Sequence, residues 1–195
     1  MDRRSEDYDA TKRQILDAVT TVVADSGLDA LTVQAVAAQA DVAIRTVYNH
    51  FDNRDGLIAA ALGSLAESTR ASVRAISVSD DEPREQVLAF VDAYLRTYEA
   101  QGDALRVLMG AATTVDVVSE VVQEVRKWRR DQLRSMLQRA QGDGRLQLQL
   151  ADAVNIAYLA TAYSTYASLT TDVGLSPSKA RALTRNLLDR SMFAE

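Results

Sequence analysis

Apolar side chains recur along this chain at helical intervals, with no run of strict alternation. In DATKRQILDAVTTVVADSG, Ile15, Leu16, Val19, Val22 and Val23 share one face, and the pattern stops at Gly27, a residue suited to closing a helix. Thr32 is placed to cap a second helix, LTVQAVAAQA, in which Val33, Val36, Ala37 and Ala40 point one way. A break at Asp41 and Val42 precedes a third helix over roughly 44–51, ended by Asp52 and Asn53. A longer helix, from Asp55 to about Ile76, then runs into SVSDDEP, the clearest boundary in the chain.

Pro83 suits a helix start, and Val87, Phe90, Val91, Tyr94, Leu95 and Tyr98 form an apolar stripe behind it. Further helices are expected in DALRVLMGAA, in VDVVSEVVQEVRKWRRDQLRSMLQRA up to QGDG, in LADAVNIAYLATAYSTYASLTTDVG, and in SPSKARALTRNLLDRSMFA. The fold class is therefore all-α, about nine helices with no strand, no internal repeat and no low-complexity segment.

Composition removes most catalytic readings. With no Cys, disulfides, thiolate chemistry and Cys-ligated zinc are excluded, and one His rules out a His-rich metal centre. A ferritin-like di-metal bundle needs Glu-x-x-His pairs, and the only His, His50, has Val47 three positions before it. No enzyme activity, cofactor or metal is expected. No window approaches the ~18 apolar residues of a membrane span, and MDRRSEDYDATKR has no apolar run behind its charges. A cytoplasmic protein without membrane contact is the expectation.

The second and third helices, joined by Ala40-Asp41-Val42-Ala43 and supported by the first, have the outline of a helix-turn-helix. The third helix is too short to add much core. It offers an edge instead: Ile44, Arg45, Tyr48 and Asn49, with Thr46 and His50 beside them. Arg reaches guanine in the major groove, Asn pairs with adenine, and Thr, Tyr and His donate to phosphates. Val47 and Phe51, four apart, face inward.

The run from Thr11 to Ile58, with KRQILDA and LTVQAVAAQADVAIRTVYNHFDNRDGLI, resembles the DNA-binding domain of the TetR family of bacterial transcriptional repressors. Its signature is carried by Thr46, Val47, Tyr48, His50 and Phe51, followed by a basic residue, Arg54, and Leu57. The resemblance implies a helix-turn-helix DNA-binding domain over 1–56 and a larger helical ligand-binding and dimerisation domain over 57–195. It implies a homodimer on a near-palindromic double-stranded DNA operator, released by a small-molecule effector of unknown identity. The DNA-facing residues it implies are Thr32, Gln34, Ile44, Arg45, Thr46, Tyr48, Asn49, His50 and Arg54. Asp41 stands where the turn usually carries Gly, and Ala43 where a capping Ser is common.

Charge runs against this reading. Residues 1–56 hold six basic side chains, Arg3, Arg4, Lys12, Arg13, Arg45 and Arg54, against ten acidic ones, whereas a duplex favours a basic surface. Arg3 and Arg4 are either a solvated tail or an arm for a minor groove. The alternative function is an all-helical dimeric interaction or ligand-binding protein that keeps the fold without operator recognition. In the C-terminal region Tyr94, Tyr98, Trp128 and Tyr163 are the candidate ligand-binding residues, since aromatics with a polar handle line mostly apolar pockets. Tyr158 and Tyr166 are alternatives for a subunit face. The charges of RKWRRDQLR read as a solvated helix face. Small residues in the penultimate helix, Ala157, Ala160, Ala162, Ser164 and Ala167, suit close packing of paired helices.

Overall fold

The computed structural model describes residues 3–77 and 82–193, and every regular element among them is helical. In chain order these are α1 (Arg3–Ser26), α2 (Val33–Gln39), α3 (Ile44–His50), α4 (Arg54–Ser77), α5 (Pro83–Ala111), α6 (Asp116–Gly142), α7 (Leu150–Ala160), α8 (Tyr163–Ala167) and α9 (Pro177–Met192). The all-α class is confirmed. An isolated bridge, Leu146 with Phe193, ties the approach to α7 to the end of α9. No described helix is long and apolar enough to cross a membrane. Most of the boundary expected at SVSDDEP, and the side chains of Arg3 and Arg4, lie outside the described residues.

The chain forms two compact units, Met1–Glu67 with Gln101–Glu124, and Ser68–Ala100 with Val125–Glu195. In the first, Ile15, Val19 and Val23 of α1, Leu31, Val36, Val47, and Leu57 and Ile58 of α4 are fully or almost fully buried. Gly27, at φ 79°, closes α1 by donating its N–H to the Val23 carbonyl at 3.1 Å. Thr32 caps α2 by accepting from Ala35 N at 3.0 Å. Asp41 turns the chain at φ 49°, the only positive φ outside glycine among the described residues. Ala43 leaves α3 without a side-chain cap, whereas Asn53 Oδ1 accepts from Gly56 N at 2.8 Å at the start of α4.

In the second unit Phe90, Leu88 and Leu95 of α5, Leu133, Met136 and Leu137 of α6, and Leu188 of α9 are sealed from solvent. Ion pairs set α9 along α5: Asp189 with Arg84 at 2.7 Å, Arg185 with Glu85 at 3.2 Å, and Arg181 with both Asp92, at 2.9 Å, and Glu99. Exposed pairs of this kind contribute only ~0–1 kcal/mol each, so they fix register more than stability.

One helix limit agrees with the sequence reading in detail and one differs. The two helices expected on either side of residue 102 meet within α5 at Gly102, whose φ of 43° and ψ of −126° are not helical and separate them by a kink. The stretch 150–174, expected as one helix, breaks at Thr161 and Ala162, and α8 then widens into a π-helical turn, Ser168–Asp172. At the break the Thr161 hydroxyl donates to the Ala157 carbonyl at 2.7 Å, while the Thr161 carbonyl accepts from two side chains, Tyr98 and Arg129. Those side chains take the place of the next turn's backbone N–H.

The caps give a stability test. Ala43→Ser supplies the hydroxyl that α3 lacks and is expected to stabilise the protein by ~0.5–2 kcal/mol, whereas Thr32→Ala is expected to cost a similar amount. Urea denaturation of the two variants beside the parent measures both, and opposite signs are required.

Candidate functional site

Local sequence decides what α3 displays. Over seven residues it cannot persist alone, so it depends on Val47 and Phe51, which are buried on its inner side. Their burial stabilises it by ~1.5–3 kcal/mol each. Helical geometry then turns Arg45 and Asn49 to the opposite side, while Ile44, in the first turn, and Tyr48 lie at the margin of the buried face, and all four are exposed. Ile44 at 45% and Tyr48 at 51% exposure are large side chains left in water on a helix that has a core available. Thr46 is half-buried beside them. Thr32 and Gln34, at the start of α2, are exposed too. The Thr32 oxygen caps Ala35 N, and its hydroxyl proton stays available to a further acceptor.

His50 is held differently. Its ring lies 4.1 Å from that of Tyr8 on α1 and 6.1 Å from that of Phe51, and its Nδ1 is buried without a hydrogen-bond partner. Burial, with a lesser contribution from Lys12, holds its pKa below the ordinary 6.5. The imidazole is therefore mainly neutral at pH 7. Tyr8 escaped the sequence reading because nothing in its local pattern signals contact with a residue more than forty positions away.

Arg54, expected at a phosphate, is also engaged within the protein. Its Nε donates to the Leu31 carbonyl at 2.8 Å and its Nη2 to the Leu28 carbonyl at 2.7 Å, with Asp55 4.0 Å from Nη1. The guanidinium thus joins the start of α4 to the loop before α2, and it ties up carbonyls that no helix would satisfy. Asp41, Asp52 and Asp55 are all exposed around the same helices.

The second unit gathers the aromatic candidates. Phe90 stacks on Tyr94 at 5.5 Å and approaches Trp128 at 6.5 Å. Tyr94 meets Tyr98 edge-on at 5.7 Å, and Tyr98 in turn meets Tyr163 at 5.4 Å and Tyr166 at 5.6 Å. Tyr94, Tyr98, Trp128 and Tyr163 are thus links of one chain of rings. Tyr166, considered for a subunit face, is buried within this cluster.

Arg129 corrects the reading of RKWRRDQLR as a solvated face. Only 6% of it is exposed, and its guanidinium carbon lies 4.3 Å from the Tyr158 ring centroid and 5.3 Å from that of Tyr94. Nη1 donates to Tyr98 Oη at 3.0 Å and to the Thr161 carbonyl at 2.6 Å, and Tyr98 Oη donates to the same carbonyl at 2.9 Å. The positive charge sits where α7 ends and its carbonyls are exposed, which favours a cation. Burial pushes both the Tyr94 and Tyr98 hydroxyls up, against the opposing pull of Arg129, so both stay protonated donors. A sequence signal for Arg129 exists: Val122, Arg129, Leu133, Met136 and Ala140 fall on one buried helical stripe.

Residues 15–61 match the family model described as bacterial regulatory proteins, tetR family. Over 83 residues the chain is 30% identical to the HTH-type transcriptional repressor KstR of Mycolicibacterium smegmatis, a match covering 43% of this chain and 41% of that protein. Over 97 residues it is 30% identical to the HTH-type transcriptional regulator BetI of Stenotrophomonas maltophilia, covering 49% and 50% respectively. The match thus spans half or less of these curated relatives. Among solved structures, the SmeT-Triclosan complex shares the fold with a TM-score of 0.76 over 95% of this chain and 93% of that one, at 17% identity.

The lowered pKa of His50 has a defined sign. An unfolded chain takes up a proton near pH 6.5 while the folded chain resists it, so the stability due to the neutral imidazole is complete above pH 6.5. That contribution is lost as pH falls through the lower folded value. The urea midpoint is expected to drop between pH 7.5 and 5.5, and His50→Gln, which removes the only imidazole, is expected to flatten that part of the profile. An equally steep profile in the variant would assign the loss to carboxylates.

Proposed function

We propose that this chain, whose residues 15–61 match the model of the tetR family of bacterial regulatory proteins, is a cytoplasmic, homodimeric transcriptional repressor of that family. It reads a near-palindromic operator with α3 and releases it when a small molecule binds the C-terminal helices. The observation that carries this reading is the exposed edge of α3, with Ile44, Arg45, Tyr48 and Asn49 in water while Val47 and Phe51 hold the helix in place. A helix kept only for packing gains nothing from that edge. KstR, one of the similar proteins, is itself described as a repressor.

In this reading Arg45 and Asn49 meet base edges, and Ile44 supplies an apolar contact of the kind a thymine methyl accepts. Thr46, Tyr48, Thr32, Gln34 and the His50 imidazole face phosphates, which set the register. Arg54 acts indirectly, by holding α4 to the loop before α2. The effector is proposed to bind at the cluster of Tyr94, Tyr98, Trp128 and Tyr163. Linkage requires that an effector weakening operator binding be weakened by the operator equally, commonly by ~5–150-fold.

The dimer is proposed to form through α7 and α9. These helices pack on each other and leave Ile156, Leu159, Leu183 and Leu187 exposed, with Leu159 at 63% and Leu187 at 61%. The small residue Ala157, considered for that interface, is instead fully buried inside the protomer. Large apolar side chains left in water on adjoining helices favour burial against a second copy.

The acidic excess of residues 1–56 favours a second reading, a dimeric helical interaction protein without operator recognition. Sequencing the genomic fragments retained by the purified protein separates the two, since the second reading gives no enriched motif. Given a motif, Arg45→Ala is expected to relax preference at one base pair per half-site, at a cost of ~1–3 kcal/mol. An unchanged preference removes Arg45 from base reading. Light scattering of Leu187→Glu is expected to show dissociation at concentrations where the parent is a dimer with recognition helices about 34–36 Å apart. A parent that is already monomeric overturns the dimer.

A further inference from the structure

Packing does not account for one edge of Arg129. A guanidinium has five N–H donors and a charge that deprotonation cannot remove, so its burial needs partners. Nη1 has two, the Tyr98 hydroxyl and the Thr161 carbonyl. The faces of the group have two more, the rings of Tyr158 and Tyr94. Nε, in contrast, is sealed from solvent with no acceptor, and no described residue accepts from Nη2 or pairs a carboxylate with this side chain.

The position of the unmatched donors is informative. Nε–H and one Nη2–H run parallel along the same edge of the guanidinium, within its plane, and this is the fork that the two oxygens of a carboxylate meet. Capping α7 requires Nη1 alone, so the cap leaves the fork unexplained. Around it lie aromatic rings whose hydroxyls stay neutral, which is an environment for an apolar body behind a charged head.

Resting on the effector region given above, we propose that the Nε and Nη2 edge of Arg129 binds the carboxylate of the effector, a small organic acid whose apolar body lies against Tyr94 and Tyr158. The charge is then matched inside the unit, and the acid is distinguished from its neutral analogues by two parallel hydrogen bonds. An alcohol of the same carbon skeleton keeps the apolar contacts and lacks the fork's partner.

The test uses the full-length protein without DNA, by calorimetry and by the fluorescence of Trp128, the only Trp of the chain and a member of the ring cluster. Hexanoate, octanoate and phenylacetate are titrated beside the alcohols of equal carbon number. At least one acid is expected to bind about tenfold or more tightly than its alcohol, as hydrogen bonds to charged groups imply. Arg129→Gln is expected to abolish the preference, and Arg129→Lys, which keeps the charge without the fork, to restore only part of it. If Arg129→Gln fails to fold, the comparison of acid with alcohol in the parent decides alone. Acids that bind no better than their alcohols, or that do not bind, overturn the proposal and assign Arg129 to the α7 cap.

Operator affinity, measured separately by DNA anisotropy, keeps this inference apart from the repressor reading. An acid that binds without changing operator affinity supports the carboxylate site and removes the effector role. Operator release by neutral compounds alone preserves the role and overturns the carboxylate site.

Discussion

A helix of seven residues does not hold together in water, so everything that α3 presents depends on the burial of Val47 and Phe51. The two are four apart, which puts them one above the other on a single face and leaves Ile44, Arg45, Tyr48 and Asn49 exposed. Supports from elsewhere keep that seat in place. Asp41 supplies the left-handed turn before α3, and the Tyr8 ring covers His50 at its end. Arg54 then binds the carbonyls of Leu28 and Leu31, so α4 begins at a fixed place relative to the loop before α2. The exposed edge of α3 is therefore displayed by a helix seated through contacts on its other sides.

The second unit is organised around a different constraint, the cost of keeping a charge in an apolar interior. Arg129 meets it with one carbonyl, one hydroxyl and two ring faces. The carbonyl comes from Thr161, at the point where α7 gives way to α8, so the helix break and the buried cation are two sides of one arrangement. A continuous helix would direct that carbonyl to its own backbone and leave Nη1 without its shortest hydrogen bond. The aromatic chain from Trp128 through Phe90 to Tyr98 surrounds this point, so its packing is coupled to the charge.

In the same unit, Ala180, Leu188 and Met192 form the buried face of α9, flanked by its ion pairs with α5, and Leu183 and Leu187 are left in water. Surface charge pairs contribute little energy individually, and their effect here is on register. Apolar exposure on α7 and α9 follows from the protomer's own packing, without any partner being invoked.

The existence of the helices was legible in the sequence because the hydrogen bonds of a helix are local, and apolar periodicity reports the buried face of each one directly. The same locality makes the α3 edge legible: once Val47 and Phe51 are inside, Arg45 and Asn49 are turned outward, with Ile44 and Tyr48 beside them. It also explains what the local pattern leaves out. Arg54 belongs to the motif by its neighbours, and its partners within the protein lie 23 and 26 positions away. Arg129 sits among charges in the sequence, yet it bonds across 31 and 32 positions to Tyr98 and Thr161. A charged side chain is counted as solvated until the fold brings a carbonyl or a ring to it, and no local pattern records where another helix will end. Which faces are apolar was determined by the sequence itself. Which polar groups lie among them was decided only by tertiary contact, because desolvation and its compensation are set by partners distant in the chain.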